Sequence, residues 1–199
     1  MYRDSVIKVA SVTVNYTVAT MLFASLHVSA AGLPQNVNRI EPNTLNEASG
    51  FVGINVAAGD NNIQANNTSI ALGKNAQTLN RSFMQTTTSA DTGSANVSMG
   101  ANTLTNARGL ISVNQVAGSG NAQLNDIALA FGDNIQMLSD ISLSIRPPAT
   151  NNSNDNDDIN NKTVYLDNNS LKGATGTIQL NQIAGNGNIA VNRVSMPIQ

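Results

Sequence analysis

The residues of this 199-residue chain whose types and spacing could do chemistry are asparagines that return at fixed intervals. Asn55, Asn114 and Asn181 occupy one repeated position. Asn62, Asn121 and Asn188 occupy a second, and Asn66, Asn125 and Asn192 a third. A primary amide carries both donors and an acceptor. Identical amides set one above another in register bond into continuous ladders, which is the chemistry of self-association. Gly59, Gly118 and Gly185 recur in step with them, each after an alanine, and are read as the turning points of equivalent arcs.

Other groupings fall short of a reactive site. Asp155, Asp157 and Asp158 form an acidic run, but a calcium loop needs glycine at its sixth position and glutamate at its twelfth. Counted from Asp155, those positions hold Asn160 and Leu166. Gly118-Ser119-Gly120 and Gly185-Asn186-Gly187 lack the lysine and the following helix of a phosphate cradle. Cysteine is absent, the only histidine is His27, and Glu41 and Glu47 have no partner motif. The chain is therefore read as not an enzyme, with no metal site and no cofactor.

The elements that must position the amides are strands. Three passages align without a gap, beginning at Gly50, Gly109 and Gly176. Upstream the match continues through Asn43-Thr44-Leu45, Asn102-Thr103-Leu104 and Asn169-Ser170-Leu171. Ile40, Met99 and Leu166 open the three units. Within each unit apolar residues alternate with polar ones, as at Val52 and Ile54, Ile111 and Val113, Ile178 and Leu180. That period of two marks strands with one apolar face. The Ala-Gly arcs interrupt it. A second strand follows around Ile63 and Ala65, then a third at Ile70 and Leu72, with a weaker one near Ile40 and Leu45.

These spacings divide the chain into 1–30, a leader; 31–39, an N-terminal segment; 40–72, repeat 1; 73–98, linker 1; 99–131, repeat 2; 132–165, linker 2; and 166–198, repeat 3. Pro147-Pro148 and the run NNSNDNDDINN from Asn151 cannot join a ladder or a core, so both linkers are expected to lie outside the stack. Proteases should cut them first. Two layouts fit the strands: hairpins of an antiparallel sandwich, or coils that each pair with the copy above. Identity at equivalent positions has a use only in the second. The expected fold is all-β, a three-coil β-solenoid forming a Greek-key-like cross-β stack with polar linkers.

Composition sets the outer bounds. Net charge is -2 and 11% of residues are charged, so no basic surface exists to neutralise nucleic-acid phosphates. The start of the chain reads as a secretory signal. Arg3 and Lys8 precede an apolar run from Val18, and Val28-Ser29-Ala30 suits cleavage before Ala31. The run is shorter than the roughly 20 apolar residues of a membrane-spanning helix. An uncleaved anchor is the alternative reading.

The pattern Asn-Ser/Thr-Leu, Gly, then Val-x-Ile-Asn-x-x-Ala-Gly-x-x-Asn-x-Gln-x-Asn resembles the repeats of the Fap functional amyloids, most closely from Gly53 to Asn67. The layout of leader, three imperfect repeats and two unequal linkers is similar as well. The resemblance implies a secreted, extracellular or cell-surface fibre of a bacterial biofilm matrix. Its main partner would be further copies of itself, with other fibre subunits and an outer-membrane export pore as further partners. The sequence departs from the family pattern in having no Cys-x-x-Cys near its C-terminus. Read from the residues alone, a monomeric surface adhesin or carbohydrate-binding solenoid remains the alternative function.

Overall fold

The computed structural model describes residues 35–88, 93–146 and 161–199. The expected leader 1–30, Pro147-Pro148 and the acidic run from Asn151 to Asn160 lie outside them. The described chain is all-β. The first coil contains β1 (Gln35–Ile40), β2 (Ser49–Ala58), β3 (Ile63–Leu72) and β4 (Asn75–Thr87). The second contains β5 (Ser94–Met99), β6 (Arg108–Ala117), β7 (Ala122–Phe131) and β8 (Asn134–Arg146). The third contains β9 (Lys162–Leu166), β10 (Thr175–Ala184) and β11 (Ile189–Ile198).

No strand pairs with its neighbour in sequence. Each pairs in parallel with the equivalent strand of the adjacent coil, giving sheets β1-β5-β9, β2-β6-β10, β3-β7-β11 and β4-β8. The expected stack of coils is therefore the observed one, and the sandwich of hairpins is not. Register follows the sequence copies: Gly50, Gly109 and Gly176 share a row, as do Asn55, Asn114 and Asn181. Alternation explains the layering, because each strand sends one set of side chains to each face. Val52, Ile111 and Val113 face the first sheet and pack with Ile40, Met99, Leu104 and Ala107. On the far side, Ala122, Leu124 and Met84 form a second apolar layer with Ile63, Ala65, Ile141 and Leu143. Between these two apolar layers, the second and third sheets meet through amides.

Three expectations need correction. Residues 73–98 and 132–165 were expected to be linkers outside the stack. They instead contain β4, β5, β8 and β9, and β4 and β8 are the longest strands, at 13 residues each. Their parallel pairing runs from Asn75 with Asn134 to Thr87 with Arg146. The inward face of β4 is mostly small and polar (Ala76, Thr78, Asn80, Ser82 and Thr86, with Met84), so it shows little apolar alternation. Next, the separate strand expected at Ile70 and Leu72 is the second half of β3. Finally, Leu45 is not in a strand. Beyond Ile40 the chain turns, with positive φ at Asn43, Leu45 and Glu47. This corner is laddered too: Asn43 N donates to Ala101 O and Glu47 N to Thr105 O.

Candidate assembly site

The site is built where β2, β6 and β10 turn into β3, β7 and β11. Stacking itself dictates glycine at the arc. A Cβ on Gly118 would lie 2.1 Å from Gly185 O, and one on Gly59 would lie 2.2 Å from Gly118 O. Both also hold positive φ, at 118° and 100°. Gly185 completes the row at φ 136°. The expected arc glycines thus stand one above another.

Next to the arc, Asn62, Asn121 and Asn188 clip successive rungs together. Asn121 Nδ2 donates to Asn62 Oδ1 at 2.9 Å and to Gly185 O at 2.7 Å. Asn188 Nδ2 donates to Asn121 Oδ1 at 3.0 Å. The backbone N–H groups of Asn121 and Asn188 reach the same two side-chain oxygens. Asn62 Nδ2 itself reaches Gly118 O at 2.6 Å.

Deeper in, the other two expected rows interlock. Asn114 Nδ2 donates to Asn55 Oδ1 of the first coil and Asn181 Nδ2 to Asn114 Oδ1, at 2.9 and 3.0 Å. Asn125 Nδ2 donates to Asn66 Oδ1 and Asn192 Nδ2 to Asn125 Oδ1, at 3.0 and 3.1 Å. The rows also bond across the layer within a coil: Asn66 to Asn55, Asn125 to Asn114 and Asn192 to Asn181. Asn114 Oδ1 therefore accepts from both Asn125 and Asn181, which uses both its lone pairs. In both rows the rung-to-rung donors point from a later coil towards an earlier one, so the ladder has a direction.

A second set of amides stands outside the expected ladder positions. Gln64 Nε2 donates to Gln123 Oε1, and Gln182 Nε2 to Gln115 Oε1. Gln115 Nε2 also reaches Asn38 Oδ1 and Ser98 O, tying the first sheet to the second. The signal was present, since Gln64 and Gln123 share one row and Gln115 and Gln182 another.

In the second and third sheets exposure separates the coils sharply, whereas in the fourth sheet β4 of the first coil is the more buried strand. From Ala122 to Ala130 every residue of β7 is buried. Asn114, Asn121 and Asn125 are 0% exposed. The equivalent positions in the outer coils are mostly half-buried or exposed. Side-chain identity does not account for this, because the rows hold the same asparagines. A coil is buried when another lies on each side of it, and among the described residues the first and third coils each have one uncovered edge.

The family model for the functional amyloid protein FapB/FapC family matches residues 23–199. The chain is also similar to the functional amyloid subunit FapC of Pseudomonas aeruginosa, with 37% identity over 104 residues. That alignment covers 45% of this chain and 29% of the relative's length. No solved structure matches. Parallel coils and laddered amides agree with the match over nearly the whole chain: this protein belongs to the functional amyloid FapB/FapC family.

Proposed function

We propose that the chain is a secreted structural subunit that polymerises into the fibres of a bacterial biofilm matrix. The observation that carries this reading is the contrast between the buried middle coil and the uncovered edges of the outer two. An open parallel edge presents unpaired backbone donors and acceptors, and it pairs with any strand of matching register. Here the matching register is another copy's coil, since the same rows of Asn and Gly recur on both edges. Each added copy then becomes a template for the next. Residues 1–30 serve as the export signal, and the working form is extracellular, without catalytic activity and without a cofactor. The expected ladder residues are the contacts that continue across the junction between copies: Asn55, Asn62 and Asn66 on one edge, Asn181, Asn188 and Asn192 on the other.

Aligned fibres of purified protein lacking residues 1–30 should give reflections at about 4.7–4.8 Å along the axis and ~10 Å across it. Preformed fragments should abolish the lag before growth. Protein that stays monomeric for days at high concentration, and ignores seeds, would overturn the proposal.

A further inference from the structure

One row of the third sheet breaks the rule of identity. Asn67, Asp126 and Arg193 stand in register in coils one, two and three. Asp126 is 0% exposed, and it is a carboxylate on the face of β7 that carries Ala122 and Leu124 towards β4 and β8. All three coils reach it. Asn80 of the first coil donates its Nδ2 hydrogen to Asp126 Oδ1. Ser139 of the second coil donates its hydroxyl to Asp126 Oδ2 at 3.2 Å. Arg193 of the third coil brings its Nε to 3.9 Å from the same oxygen.

A buried ion of this kind is poor evidence for stability, because desolvation cancels much of the attraction. Its better-attested use is in specifying register, as a buried polar residue does in coiled coils. Among the described residues the third coil has no counterpart of β4 and β8, but in the three sheets that all coils share the Asn rows cannot tell one coil from another. The charged row can. A second coil laid on another second coil would put Asp126 against Asp126 one rung away. A first coil in place of the third would put Asn67 beneath Asp126 and leave the carboxylate without a cation. Third coil on third coil would put Arg193 against Arg193. When a third coil receives the first coil of another copy, Arg193 meets Asn67 and no like charges touch. In the fourth sheet the cation comes from the other side: at the surface Arg81 of coil one stands 3.7 Å from Asp140 of coil two.

We infer that Asp126, read by Arg193, is the specificity-determining residue of coil order: it admits only a third coil beneath the second, and so leaves the third coil to receive the first coil of a second copy. The last clause rests on the fibre-forming reading, whereas the lock between coils two and three does not.

The chain has no cysteine, so an engineered pair reports coil order without background. Asn96 and Thr163 share a row in β5 and β9. Adjacent parallel rungs are roughly 4.8 Å apart, within the range a disulfide bridges. The full chain carrying N96C/T163C should oxidise to an intrachain disulfide. Adding R193D places two carboxylates a rung apart. The disulfide yield should fall at least about tenfold, with a longer assembly lag under reducing conditions. Adding D126N to R193D removes the clash without restoring the Asp–Arg pair, so both readouts should recover only in part, and full recovery to the level of the N96C/T163C chain would show that coil order does not need the pair. R193D oxidising like that chain would overturn the inference. So would a D126N/R193D chain as poor as R193D, since Arg193 would then act through its stem and not its charge. High disulfide yield without any fibres would remove the polymer reading and leave the lock standing.

Discussion

The apolar layers and the amide layer of this stack obey different rules, although the same strands build both. In the apolar layers a row changes residue from coil to coil. Ile40 sits beside Met99 and Met99 beside Leu166. Ala65, Leu124 and Val191 share another row. In the amide layer Asn55, Asn114 and Asn181 are identical, and so are Asn66, Asn125 and Asn192. Hydrophobic burial is non-directional, so a row can hold any side chain of workable volume if its neighbours adjust. An amide ladder is directional, and each group must present a donor and an acceptor at the right height to the next. Freedom in one layer and identity in the other follow from that difference.

The most damaging test of this contrast is Asn114→Asp. The new side chain loses the Nδ2 hydrogens that Asn55 Oδ1, Asn66 Oδ1 and Ala65 O accept. Those oxygens would instead face a carboxylate in a layer closed to water. A buried acceptor left without its donor costs about 1–3 kcal/mol, and an unpaired buried charge more. Burial also favours the neutral acid, so its pKa when assembled lies above the ordinary aspartate value near 3.9. With the assembled-state pKa raised, the charge penalty is absent at low pH and grows as pH rises through that value. At neutral pH nucleation should be strongly delayed, and acidification should restore it in part. Lag times that match the parent at neutral pH would show that Asn114 lies in no buried ladder.

The same contrast explains what could be read from the sequence. The amide rows and arc glycines were legible because stacking demands identity there, and identity survives as a visible repeat. The apolar faces of β2, β6 and β10 were legible through their alternation. β4 was not, for a physical reason: its inward face is mostly small and polar, and its pairing with β8 sets Thr78 against Met137, Arg81 against Asp140 and Phe83 against Ser142, so neither identity nor apolar alternation marks most of it. Leu79, Phe83 and Leu138 face outward, opposite to the usual pattern. β8 does alternate, through Ile135, Met137, Ile141, Leu143 and Ile145, and that signal was available. Asn75 with Asn134, Gln77 with Gln136 and Leu79 with Leu138 were a second signal, at the same 59-residue interval as the Asn rows. The row of Asn67, Asp126 and Arg193 was invisible for the opposite reason, since complementary charges need unlike residues.

A smaller effect is expected when an apolar row is changed within its own range. Leu124 is 0% exposed, and its row holds valine in the third coil. Leu124→Val removes one methylene from a layer also lined by Met84, Ile141 and Leu143. The cost should be about 1 kcal/mol, read as a modest shift in the guanidinium midpoint for fibre dissolution. Growth kinetics at neutral pH should stay near those of the parent. If Leu124→Val were as damaging as Asn114→Asp, the apolar layers would be as exacting as the amide layer, and the distinction between them would fail.

The smallest effect separates burial from ladder geometry. Asn134 Nδ2 donates to Asn75 Oδ1 at 2.9 Å, the same rung-to-rung bond that links Asn114 to Asn55. Here the pair is exposed, at the start of β4 and β8. Asn134→Asp removes the donor just as the Asn114 variant does. Water can replace it, and the carboxylate keeps its hydration, so neither a lost partner nor a desolvated charge is at stake. The expected change in fibre stability is within about 0.5 kcal/mol, as for most surface substitutions, and its lag should not depend on pH beyond that of the parent. The two asparagines differ in water access and not in the bond they make along the stack. An Asn134→Asp fibre as crippled as the Asn114→Asp fibre would therefore locate the requirement in the ladder itself. A neutral result locates it in the closed layer between the second and third sheets, where every amide must be answered by another.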